Sequence, residues 1–82
     1  MERRLTGISV VYGAEVSYWL VKDLLPSGGD TYGFAVEREG ERAEYRDLSL
    51  SYQDVFDLLE TLARCGVTPV TAGDIVEDWL LR

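Results

Sequence analysis

Eighty-two residues, 46% of them apolar, make one domain (residues 1–82), large enough for a core and too small for two. A lone cysteine, Cys65, excludes an intramolecular disulfide, and the lack of histidine excludes Ser–His and Cys–His nucleophile pairs, His-ligated metals and the common structural zinc sites. A net charge of −7 repels a phosphate backbone, so direct nucleic-acid binding is not expected, and no apolar run approaches the ~20 residues of a membrane span.

The start, MERRLTGISVVYG, carries a basic pair with no apolar stretch leading to a small-residue cleavage site, which points to a soluble cytoplasmic protein. LTGISVVY reads as a first strand over about 4–12, joined through Gly13-Ala14 in a type II′ turn to a second strand, AEVSYWLVKDLL, over about 15–25. The turn-rich PSGGD closes that strand. REGER is the clearest hairpin signal. With Glu39-Gly40 as a two-residue turn, Arg38 faces Glu41, Glu37 faces Arg42, Val36 faces Ala43 and Phe34 faces Tyr45, joining strands of about 31–39 and 41–47. The PSGGD loop sets Leu20 across from Val36 and Leu24 across from Tyr32. One sheet face then carries Val16, Tyr18, Leu20, Leu24, Tyr32, Phe34, Val36, Ala43 and Tyr45.

LSYQDVFDLLETLARCG marks a helix over about 52–65. Ser51 is the N-cap, Asp54 the third helical position, Leu50 and Val55 a staple, and Gly66 the stop. Val55, Leu58, Leu59, Leu62 and Ala63 form its apolar stripe. VTPVTAGDIVEDWL repeats that grammar over about 72–81, with Thr71 as N-cap, Asp74 at the third position, Val70 and Ile75 as staple, and Ile75, Val76, Trp79 and Leu80 as stripe. The expected fold class is α+β: a four-stranded antiparallel meander with two C-terminal helices on one face.

Chemistry has little to work with. GxGxxG and the P-loop pattern are both absent, and no cofactor or small-molecule ligand is expected. Asp74, Glu77 and Asp78 share one helix face and are the single cluster suited to a metal or to acid–base work. Helix grammar accounts for them without chemistry, as the acidic, solvated side of the last helix. Cys65, at the disfavoured end of a helix dipole, reads as a small half-buried core residue. The second sheet face is the larger anomaly. Trp19, Val21 and Ala35 point away from the helices, and the first strand adds Ile8 and Val10, an apolar patch of the kind that marks an interface.

The segment GVTPVTAGDIVEDWL resembles the C-terminal signature of a family of small bacterial proteins, mostly from Firmicutes, known as a domain of unknown function. The likeness extends to YWLV, YGFAVE and the helix that follows. It implies a small cytoplasmic bacterial protein and assigns no activity or site residue.

These observations favour a non-enzymatic interaction or regulatory module that binds a protein partner, or a second copy, through Ile8, Val10, Trp19, Val21 and Ala35. The alternative is a phage-type inhibitor that mimics nucleic acid. A carboxylate–metal enzyme built on Asp74, Glu77 and Asp78 comes third.

Overall fold

The computed structural model describes residues 2–81 and contains the expected α+β arrangement, an antiparallel meander followed by two helices against one sheet face. The strands are β1 (Glu2–Val11), β2 (Ala14–Leu24), β3 (Asp30–Arg38) and β4 (Glu41–Ser49), ordered β1-β2-β3-β4. The helices are α1 (Tyr52–Cys65) and α2 (Pro69–Leu80).

The β3–β4 hairpin has the expected register: Phe34 pairs with Tyr45, Val36 with Ala43, Glu37 with Arg42 and Arg38 with Glu41. Its turn residues Glu39 and Gly40 take φ of 43° and 84°, the paired positive values of a type I′ turn. The other two pairings each slip from expectation. Leu20 faces Phe34 and Leu24 faces Asp30, because the loop closes early: the Leu25 N–H donates to the Gly29 carbonyl at 2.6 Å and the Gly28 N–H to the Leu25 carbonyl at 2.9 Å. The first turn is centred on Tyr12-Gly13, with φ of 51° and 78°, so it is another type I′ turn and not a type II′ turn at Gly13-Ala14. Val11 therefore pairs with Ala14, and Ile8 with Ser17. Both slips are of two residues. The side-chain period of a strand is also two, so β2, β3 and the part of β1 from Gly7 onward keep their faces, while a bulge in β1 turns Arg3 and Leu5 onto the Trp19 face.

Two β-bulges shape the edges. In β1 the register shifts between Leu5 and Gly7, so Leu5 faces Trp19 while Gly7 faces Tyr18. In β4 it shifts across Arg46–Leu48, which pairs Tyr32 with Ser49 and carries the strand two residues past its expected end. Gly33 lies opposite this bulge, where a Cβ would overlap the Tyr45 carbonyl oxygen. Asp47, at φ 56°, accepts a 2.7 Å hydrogen bond from the Thr31 hydroxyl.

Helix α1 has the expected bounds. The Ser51 hydroxyl accepts from the Asp54 N–H, Gly66 closes the C-terminus at φ 66°, and Val55, Leu58, Leu59 and Leu62 are buried. Tyr52 anchors its start, edge-on to Tyr32 at 5.6 Å and stacked on Phe56 at 5.7 Å. Helix α2 begins three residues earlier than expected. Thr68 is its N-cap and Pro69 its first residue, where a missing N–H costs nothing and φ is already helical. The Thr71 hydroxyl accepts from the Thr68 N–H at 3.2 Å, the back-bond of a capping box. Asp74 is thus mid-helix and caps nothing. The expected staples do not form either: Leu50 and Val70 are 70% and 75% exposed.

The core joins Val16, Tyr18, Leu20, Phe34 and Val36 of the sheet to the buried stripe of α1 and to Ala72 and Val76 of α2. The buried stripe of α2 is Pro69, Ala72 and Val76, with Ile75 and Trp79 flanking it and Leu80 left exposed. Tyr18 is fully buried, and its hydroxyl donates to the Val67 carbonyl at 2.7 Å, which pins the α1–α2 connection to the centre of the sheet. Burial raises its pKa.

Candidate functional site

The register brings Ile8, Val10, Trp19, Val21 and Ala35 onto the sheet face that no helix covers. They do not form an open apolar patch. Val21 and Ala35 are at 0% exposure and Trp19 is half-buried, so Val21 and Ala35 offer a partner nothing to touch. The charged residues of the same face close over them. The Arg3 guanidinium lies 4.7 Å from the centre of the Trp19 ring and reaches the Glu37 carboxylate at 2.7 Å. Arg42 pairs with Glu44, and Arg46 donates through Nε to Asp23 at 2.9 Å. That bond holds the Asp23 carboxyl below its usual pKa and raises Arg46. Beneath this ionic layer the Trp19 indole N–H and the Arg3 Nε are buried without a hydrogen-bond partner. The apolar surface that stays exposed runs along β1, at Leu5, Ile8 and Val10.

The helix layer has the opposite character. Its two helices carry Asp54, Asp57, Glu60, Asp74, Glu77 and Asp78 against Arg64 alone. All six carboxylates are exposed, and none of them joins an ion pair among the described residues. Asp57 accepts a hydrogen bond from Gln53 one turn earlier, at 2.7 Å. Asp74, Glu77 and Asp78 do share a helix surface, yet among the described residues no three acidic or thiol side chains converge closely enough to hold a metal ion. Cys65 ends α1 exposed, not half-buried, because the helix turns its stripe of Leu58, Leu59 and Leu62 to the sheet and leaves Cys65 outside it.

Between the helices lies an open cleft that sequence reasoning did not anticipate. Helix α1 packs mainly on β1, β2 and β3, and α2 on β3 and β4, while the backbones of the two helices come close at few points. Leu58 of α1 and Ile75, Trp79 and Leu80 of α2 line the cleft, with Asp54, Asp57 and Asp78 at its rim. Gly73 lets α2 settle this far toward β4, since a Cβ there would come within 2.8 Å of the Tyr45 hydroxyl. No helical spacing announces it: Trp79 and Leu80 stand three and four residues after Val76, where the buried stripe would simply continue.

Among the described residues no helix is long and apolar enough to cross a membrane. No curated protein and no solved structure matches the chain significantly. A family of unknown function, DUF6514, does match over residues 7–82, and the chain belongs to it.

Proposed function

We propose that this protein is a non-enzymatic interaction module of the cytoplasm, whose helix layer engages a protein partner through a basic surface. The observation that carries this reading is the separation of its charge. Sheet residues of opposite sign pair with one another, as Arg3 does with Glu37 and Arg46 with Asp23, while among the described residues the six exposed helix carboxylates join no ion pair. Unpaired charge of one sign on one surface steers and orients a partner of the other sign. The test is affinity purification from the native host with wild type and with a variant neutralised at all six acids. A partner that the wild type captures, that binds directly and more weakly in high salt once purified, and that the variant loses is the expected result. A partner held equally by both proteins sinks the reading. If the partner proves to be a DNA-binding protein whose DNA competes with this chain, the interaction is nucleic-acid mimicry.

A second reading, self-association through β1, is favoured by the exposed Leu5, Ile8 and Val10 on an edge strand beside Trp19. Sedimentation of wild type and Val10→Lys decides it. A concentration-dependent dimer abolished by the lysine supports the β1 contact, and two monomers at 100 µM, about a hundred times a micromolar dissociation constant, exclude it.

A further inference from the structure

We infer that the cleft between α1 and α2 is a docking site for a basic amphipathic helix of a partner protein, which completes the helix layer as a third member. The inference rests on the proposed interaction function and adds the place and the form of the partner. Three observations meet there. Helices sharing a sheet face ordinarily interlock closely along their length, whereas the backbones of α1 and α2 come close at few points and leave Leu58, Ile75, Trp79 and Leu80 lining a cleft between them. Leu58 is nearly buried, Ile75 and Trp79 are half-buried, and Leu80 is 56% exposed, so the floor grades from core to solvent and continues the core outward. Among the described residues the charged groups at the rim are all acidic, Asp54 and Asp57 on α1 and Asp78 on α2, with the neutral Thr61 beside them.

The form of the occupant follows from the walls. Both walls are α-helices whose backbone groups, except the carbonyls of the last turn of α2, are bonded within each helix, so an extended segment would find no ladder of backbone partners along the cleft. A helix brings its own backbone bonds and presents side chains alone. Its central face needs large apolar groups to cover Trp79 and Leu80, and its flanks need Lys or Arg opposite Asp54, Asp57 and Asp78. Those exposed carboxylates contribute orientation and association rate more than affinity, and the apolar floor supplies most of the hold.

The probe is a synthetic 18-residue helix of Leu and Lys with one apolar face, compared with a scrambled peptide of identical composition that has no such face. Trp79 emission is followed in a Trp19→Phe background of the full chain, with circular dichroism to verify folding. The expected result is a Trp79 blue shift on adding the amphipathic helix, with the scrambled peptide at least tenfold weaker. Leu80→Asp should weaken the amphipathic helix at least tenfold, even though it adds a further attractive charge at the rim. Neutralising Asp54, Asp57 and Asp78 to Asn should also cost at least tenfold at low salt, and much less at high salt. If Leu80→Asp unfolds the chain, Leu80→Gln takes its place. Equal binding of the scrambled peptide overturns the inference, because a merely acidic surface would behave so, and an unshifted Trp79 spectrum overturns it as well. In the host purification, a partner lost with the six-acid variant but kept by Leu80→Asp leaves the interaction reading standing and removes the cleft. A partner kept by both removes the reading itself.

Discussion

At Gly33 a side chain has nowhere to go, since its Cβ would overlap the Tyr45 carbonyl oxygen and crowd the Arg46 Cα. The obstacle is backbone and cannot rotate aside, so Gly33→Ala is expected to cost about 3 kcal/mol or more in denaturant unfolding. A cost under about 1 kcal/mol would mean that the β4 bulge opens freely. Tyr18 is the second residue on which much depends. Replacing it by Phe leaves the Val67 carbonyl without its donor, at a cost of about 1–2 kcal/mol near neutral pH. Its pKa is raised in the folded state, so its contribution is complete below the unfolded value of about 10 and is lost as pH rises through the folded value. Wild type should therefore lose stability above about pH 10 more steeply than Tyr18→Phe. Parallel alkaline limbs would show that the Tyr18 hydroxyl already meets water.

The start of α2 shows what a local pattern can and cannot specify. Ser51–Val55 and Thr71–Ile75 read as the same start signal, yet Ser51 caps a helix while Thr71 sits in the third position of one already begun at Pro69. Two valid signals compete at this point, a Thr-x-x-Asp box and a Thr-Pro start. The earlier one prevails because it places Pro69 and Ala72 against the sheet with Val76, all three of them buried. The consequence is measurable: Thr71→Ala should cost about 1 kcal/mol, through its bond to the Thr68 N–H, and Asp74→Ala should cost nearly nothing. The reverse order would put the helix start back at Thr71.

The same contrast runs through the rest of the fold. The β3–β4 hairpin and α1 were legible because each is fixed by adjacent residues, the Glu39-Gly40 turn in one and the Ser51 and Gly66 caps in the other. The registers of β2 and of β1 beyond its bulge were legible in face but not in pairing, since a slip of two preserves the alternation of Val16, Tyr18 and Leu20; Arg3 and Leu5, before the bulge, changed face. Leu20 and Val36 remain on one face whichever partner they take. On the other face, nothing local in Val21 or Ala35 announces that Arg3, Glu37 and Arg46 will gather on the same surface. Those residues come from three strands, and their meeting is a product of the pairing. The α1–α2 cleft was hidden for a similar reason, because it depends on which strands each helix chooses to cover.

For the molecule as a whole, the crowded helix carboxylates oppose folding. Asp74 lies three residues from Glu77 and four from Asp78, and like charges at those spacings each cost a helix about 0.2–0.5 kcal/mol. In α1, Asp54, Asp57 and Glu60 repeat the arrangement at intervals of three. The sheet charges act in the other direction, but exposed pairs such as Arg42 with Glu44 contribute little and weaken in salt. Repulsion therefore dominates the salt response of a chain with net charge −7. Raising NaCl from 20 to 500 mM should stabilise the wild type by about 0.5–1 kcal/mol, which for a domain of this size is about 2–8 °C in Tm. Replacing Asp74, Glu77 and Asp78 by their amides should provide much of that gain at 20 mM and flatten the remaining salt dependence. An unchanged slope in this variant would place the repulsion elsewhere and would remove the helix layer as the seat of the protein's excess charge. If the slope does flatten, the chain is shown to retain, at a cost in stability, carboxylates that three substitutions would relieve. That is the behaviour expected of a surface kept for a partner that supplies the missing positive charge.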